Sequence, residues 1–198
     1  MLIAEYILRE RRKMNTMPQN PALVETIVTT DMAKPIAAEY HTDLIEVLTG
    51  FKYIGEQIRR FEQDHSHHFV FGLEESYGCL AGTYARDKDA CVAVMLLCEC
   101  AAFSKARGKT LWDAMKDMYR KYGYYLEGMS FVTLKGREGA GEIRRRMDKM
   151  RQSPVLFLGG NEVLAVRDYA AGTRKDMKTG EVSSTHLPKS DVLYYELS

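Results

Sequence analysis

A chain of 198 residues with 45% hydrophobic and 28% charged side chains is long enough for one or two packed domains and is not composed like a disordered segment. Its net charge of +1 offers no overall field for nucleic acid or an acidic membrane, and no apolar run reaches the ~20 residues that span a bilayer. Of four cysteines, Cys91, Cys98 and Cys100 share one apolar stretch and Cys79 stands apart, a pattern of reduced thiols rather than a disulfide framework, so a cytoplasmic location is expected.

In chain order, Leu2, Ile3, Tyr6 and Ile7 space an amphipathic helix over 1–14 with Arg9 to Arg12 on its polar side. Its apolar-then-basic order is the reverse of a signal peptide. The helix has no preceding N-cap, from which the natural chain is expected to continue upstream. After a polar link, ALVETIVT (22–29) reads as a strand. Thr30 or Asp31 caps a short helix over 32–40, TDLIEVL (42–48) is a second strand, and a helix over 51–64 turns Ile54, Ile58 and Phe61 inward.

A third strand covers Phe69-Val70-Phe71. Asp87 or Asp89 then caps a helix reaching about Arg107, apolar nearly all round (ACVAVMLLCECAAF) and therefore expected to be covered on most sides. Thr110 starts a further helix that buries Leu111, Trp112, Met115 and Met118 and ends near Gly123. The alternation to this point predicts a layered α/β domain over 1–123. From 124 onwards a strand over 125–134, a charged helix over 138–152 and a meander ending on an unpartnered strand, 191–197, predict a smaller α+β domain, unfinished at Ser198.

The polar residues of interest follow the third strand. Glu74, Glu75 and Ser76 are flanked by Gly72, Gly78 and Gly82, which suit close backbone approach, and Arg86-Asp87-Lys88-Asp89 lies just beyond. The plainer reading is a solvated turn and a charged helix start. Against it, polar groups at the carboxyl end of a strand in an α/β pattern commonly line a ligand crevice. Lys88 in a first helical turn would oppose the helix dipole unless it faced an anion. Acceptors, a hydroxyl and cations together suit a polyhydroxylated anion such as a sugar phosphate. Thr49-Gly50-Phe51-Lys52 is a second strand-to-helix turn on the same rim. His65-Ser66-His67-His68 reads as a solvated turn rather than a metal site, and Gly136 to Gly141 as a helix start without nucleotide-loop order.

The blocks TGFKYIGEQI (49–58), LEESYGCLAGTYARDKDA (73–90) and GKTLWDAMKDMYRKYGYY (108–125) closely resemble the third domain of the α-D-phosphohexomutases, the phosphoglucomutase and phosphomannomutase superfamily. The resemblance covers nearly the whole chain. It implies a three-layer, mixed-sheet α/β domain lacking its first strand (1–123), followed by an incomplete fourth domain lacking its phosphate loop (124–198). Glu74 and Ser76 match the family's Glu-x-Ser that holds adjacent sugar hydroxyls. Lys88 matches a basic residue that approaches substrate, with Arg86 grouped beside it as substrate-binding. Thr49 and Gly50 match the turn that helps tell glucose from mannose, and Lys52 adjoins it. Leu73 stands where the family usually has Gly, so hexose preference does not transfer simply.

For the parent enzyme the resemblance implies an isomerase. It interconverts hexose 1-phosphate and hexose 6-phosphate through a bisphosphorylated sugar, with Mg²⁺ as cofactor and hexose 1,6-bisphosphate as activator. This sequence contains no Ser-His-Asn-Pro phosphoserine loop, no Asp-Gly-Asp metal loop and no Arg-Pro-Ser-Gly-Thr phosphate loop. The expectation is therefore a fragment, inactive alone, with no catalytic or metal residue of its own. Its partners would be the hexose phosphate and the missing domains of the same parent chain, with neither nucleic acid nor membrane. The alternative is a stand-alone sugar-phosphate-binding or regulatory module.

Overall fold

The computed structural model describes all 198 residues, which fall into two units, 1–127 and 128–198. The first unit is built on strand β1 (Pro21–Thr26), whose six residues are all buried. It lies between β2 (Asp43–Val47) and β3 (His68–Leu73), parallel to both, and β4 (Cys79–Ala81) adds antiparallel to β3, so the sheet runs β2-β1-β3-β4. Parallel neighbours need crossovers, and α2 (Ala33–Glu39) and α3 (Phe51–Asp64) supply them. The step from β1 to β2 and the return past β1 to β3 run in opposite directions. With one handedness for both, the two helices must lie on opposite faces.

They do. Ala22, Val24, Phe69 and Leu80 of the sheet pack with Phe51, Ile54, Ile58 and Phe61 of α3 on one face. On the other, Leu23, Val70, Phe71 and Cys79 pack with Ala4 and Leu8 of α1 (Leu2–Lys13), Ile36 and Ala37 of α2 and Met118 of α5 (Leu111–Tyr122). Close contact between α3 and the sheet depends on glycine: a Cβ on Gly72 would come within 2.7 Å of Ile54 Cγ2, and one on Gly55 within 2.4 Å of the Arg86 carbonyl oxygen.

The second face also encloses polar groups. Tyr40 donates to Glu5 Oε1 at 2.7 Å. Glu25, 2% exposed, keeps one carboxylate oxygen without a hydrogen-bond partner, and burial, with Glu46 and Asp31 adding to it, pushes its pKa up to about 8.

Several elements depart from the sequence reading. The first strand ends at Thr26, where Thr29 N bonds back to the Thr26 carbonyl in a turn. Strand β4, only three residues between glycines, gave no periodic signal. Helix α4 (Ala90–Lys105) is not covered on most sides: it buries one stripe, Leu96, Cys100 and Ser104, and leaves Val94 62% and Met95 58% exposed. A helix apolar all round has no polar face to mark its outer side, so composition overstated its burial. Residues 125–134 form no strand, and Phe131 is 80% exposed. Strand propensity there finds no neighbouring strand to accept its backbone bonds.

In the second unit, α6 (Gly136–Gln152) is followed by β5 (Phe157–Leu158), β6 (Asn161–Asp168), β7 (Thr173–Asp176), β8 (Val182–Ser184) and β9 (Leu193–Leu197). The last strand is not unpartnered, as the sequence led us to expect: β9 pairs antiparallel with β6, and β5, β6, β7 and β8 are neighbours in that order. Glu196 of β9 accepts from Arg167 Nε at 2.6 Å and from Arg174 at 2.6 and 2.9 Å. Those guanidiniums, Arg174 foremost, bring its pKa down to about 2. Val163, Ala165, Val166 and Tyr169 form the small buried centre.

Candidate functional site

The β3–β4 connection is a tight loop. Glu74 N bonds to the Gly78 carbonyl at 2.9 Å, and Tyr77, fully exposed, sits at φ +65°. This closure turns the Glu74 side chain inward, where it is 3% exposed. Burying a carboxylate is costly unless it is paired, and Glu74 is paired twice. Lys88 Nζ lies 2.9 Å from its Oε1, and Ser76 Oγ donates to the same oxygen at 2.9 Å. A Cβ on Gly78 would fall 2.6 Å from both Glu74 Oε1 and Lys88 Cδ, so a side chain there would make the pair shift from its present contact.

Of the two caps that the sequence offers, Asp87 and Asp89, the structure uses the second, and α4 begins at Ala90. Its N-cap is Asp89, which accepts from Cys91 N at 2.8 Å and Val92 N at 3.2 Å. Lys88 is thus outside the helix, and its charge is matched by Glu74 rather than set against the dipole. That hydrogen bond raises the Lys88 pKa above its ordinary value. The ammonium also lies 5.9 Å from the Phe51 ring centroid, which brings the opening turn of α3 next to the Glu74 loop. In that turn Gly50 caps α3 at φ +118°, a conformation suited to glycine, and Thr49 is exposed. Lys52 is exposed with its Nζ 4.8 Å from the Tyr53 ring.

Arg86, one of the predicted substrate-binding residues, and Glu75, which lies between Glu74 and Ser76, are both engaged within the fold. Arg86 forms a two-pronged bridge to Glu62 of α3, both bonds 2.6 Å, and also donates to the Thr83 and Ala85 carbonyls. It braces the loop before α4 against α3. Glu75 accepts from Thr26 Oγ1 at 2.7 Å, and Thr26 Oγ1 lies 2.9 Å from Thr29 Oγ1. The middle residue of Glu74-Glu75-Ser76 is therefore a tether to the end of β1. The partners lie 49 positions apart in the chain, and no local signal foretold them.

The histidines diverge. His67 bonds to Asp43 and Ser66, while His68 bonds to the Gln19 carbonyl. No three His, Cys, Asp or Glu side chains converge to hold a metal. The chain's own residues thus do not fit a Mg²⁺ site.

Residues 1–122 match the family model described as phosphoglucomutase/phosphomannomutase, alpha/beta/alpha domain III. The chain belongs to the phosphoglucomutase/phosphomannomutase family. Among curated proteins it is 35% identical over 191 residues to a phosphoglucomutase of Staphylococcus epidermidis, covering 96% of this chain and 35% of that protein. It is 34% identical over 192 residues to the Staphylococcus haemolyticus phosphoglucomutase, covering 97% of this chain and 34% of that one. The chain therefore spans about a third of the length of these relatives. Among solved structures, the open form of pp63/parafusin, a phosphoglucomutase from Paramecium, aligns with a TM-score of 0.55 at 19% identity, over 98% of this chain and 31% of that one, a likeness of fold alone. The mixed parallel and antiparallel sheet between helices is the family's domain III-like α/β fold.

Proposed function

We propose that this chain supplies the sugar-hydroxyl-binding part of a phosphohexomutase that interconverts hexose 1-phosphate and hexose 6-phosphate. The observation that carries the reading is the buried Glu74 carboxylate, held by Ser76 and Lys88 on the rim where β3 ends. A carboxylate and a hydroxyl two residues apart can accept from and donate to neighbouring sugar hydroxyls, and an ammonium beside them offsets a phosphate. Thr49, Gly50 and Lys52 complete the rim across Phe51, and Arg86 contributes by bracing the loop through Glu62. The Glu75–Thr26 bond fixes the loop in place so that little ordering remains for binding to supply.

The parent reaction is a phosphoryl transfer that depends on positioning and charge stabilisation, and this piece provides positioning. In that reading Mg²⁺, the bisphosphate activator and the transferring phosphoserine act from other parts of a longer protein, in the cytoplasm. Calorimetric titration of the purified chain with glucose 1-phosphate tests it. Saturable binding should weaken at least tenfold in Glu74→Gln and in Ser76→Ala, with no turnover of glucose 1-phosphate even when Mg²⁺ and glucose 1,6-bisphosphate are added. Binding indifferent to both substitutions would remove the proposed site, and measurable turnover would show that this chain is more than a binding part.

A further inference from the structure

Between α5 and α6 the chain runs from Tyr124 to Lys135 without a turn or a bend, and every residue of 126–133 is exposed. Leu126, Met129, Phe131 and Val132 are the large apolar members of this run, 69–81% exposed. The backbone adds a second observation: no N–H or C=O group of 128–134 is bonded to another backbone group. An unbent, unpaired run with aromatic and β-branched side chains is a strand open on both edges. Its sequence, GMSFVTL, holds no charge and no proline, the composition in which strands of separate molecules pair.

The charges at the two ends of the run select the partner. Glu127 and Lys135 flank the uncharged stretch at an even spacing, so in an extended chain they share a face with Met129, Phe131 and Thr133. Lys135 has no acidic partner, and Glu127 bonds only to the Thr30 hydroxyl. Let two copies of the run lie antiparallel with Phe131 opposite Phe131. Met129 then faces Thr133, Ser130 faces Val132, and Glu127 of each copy faces Lys135 of the other. A parallel pairing in register would instead set Glu127 against Glu127 and Lys135 against Lys135. Slipping the antiparallel register separates Glu127 from Lys135, and beyond Lys135 the chain is already helical in α6. The run is therefore complementary to itself in one direction and one register.

We propose that residues 127–135 are a docking strand for a second copy of this chain, paired antiparallel about a two-fold axis at Phe131. The aromatic cross-strand pair supports the centre and the two Glu–Lys pairs set the direction. The overlap is about 30 Å of strand. That is small for a stable interface, so the dimer should be weak, dissociating at roughly 10–100 µM.

Sedimentation velocity of the full 198-residue chain from ~1 to ~200 µM tests it, with reductant present to exclude bridges through Cys91 and Cys98. A monomer–dimer equilibrium is expected, with slowed amide hydrogen exchange over 128–134 at the highest concentration. Phe131→Asp, at an exposed position, sets two carboxylates face to face and should weaken association at least about tenfold with an unchanged melting temperature. Met95→Asp, on the outward face of α4, should leave association unchanged. Charge reversal reads direction and register. Glu127→Lys and Lys135→Glu should each self-associate about fivefold more weakly than the parent, whereas an equimolar mixture of the two should pair as tightly as the parent. A monomer at the highest concentration, association lost in Met95→Asp but kept in Phe131→Asp, or a charge-reversal mixture no tighter than its components would each overturn the proposal.

Discussion

On one face of the four-stranded sheet a single helix, α3, does the covering with five buried residues of its own; on the other, α1, α2, α4 and α5 share the task and enclose Glu5, Tyr40 and Glu25 among apolar side chains. The first face is apolar and tightly fitted, with two glycines making room for it. The second is looser in composition and carries groups that titrate. The same sheet should therefore fail in two ways: by loss of side-chain volume on the α3 face, and by change of pH on the other.

The largest effect should come from Glu25. Burial raises its pKa to about 8 from an ordinary 4.5, so between those values the native chain keeps a proton that the unfolded chain has released. Its contribution to stability is complete below about pH 4.5 and is lost as the pH climbs to about 8, by up to about 5 kcal/mol. Urea unfolding followed by Trp112, the only tryptophan and part of α5, should show Glu25→Gln close to the parent at pH 5 and clearly more stable at pH 8.5. Parallel pH curves for the two proteins would dissolve the contrast between the faces.

On the α3 side, Ile54→Ala removes a fully buried side chain from the centre of the contact and should cost about 3 kcal/mol at any pH in that range. Gly55→Ala should cost about 1–3 kcal/mol, because its Cβ would meet the Arg86 backbone oxygen and force α3 away from the loop it supports. The same denaturation curves measure both. The smallest effect sharpens the comparison from the other side: Met95→Ala, on the outward face of α4, should change stability by less than about 0.5 kcal/mol. A loss there as large as that for Ile54 would mean that α4 is covered after all.

Much of this fold was legible from residue order. Ile54, Ile58 and Phe61 recur at helical spacing against charged neighbours, and α3 lies over 51–64 as read. The β-branched runs located β1 and β2 to within a few residues. What failed had no local signature. Three residues of β4 are a strand only because Phe71, Gly72 and Leu73 pair with them, whereas the aromatic-rich 125–134 lacks such a neighbour and stays unpaired. For α4, composition measured apolarity, and burial depends on what lies opposite.

The site divides along the same line. Glu74 and Ser76 stand two residues apart in one loop, and the structure joins them by a hydrogen bond at 2.9 Å. The Lys88–Glu74 pair, the Arg86–Glu62 brace and the Glu75–Thr26 tether join residues brought together by the sheet, and only the folded chain displays them.

The outward stripe of α4 also has a redox consequence. It carries two exposed thiols, Cys91 and Cys98. Seven residues along one helix separate them by about 10 Å of rise, while a disulfide needs Cα atoms within about 7 Å. An oxidant cannot join this pair within the helix, and the two remaining thiols, Cys79 and Cys100, are buried. Any bridge formed on this surface must therefore join one molecule to another, so an apolar patch becomes under oxidising conditions a seam for covalent oligomers, which reductant should undo.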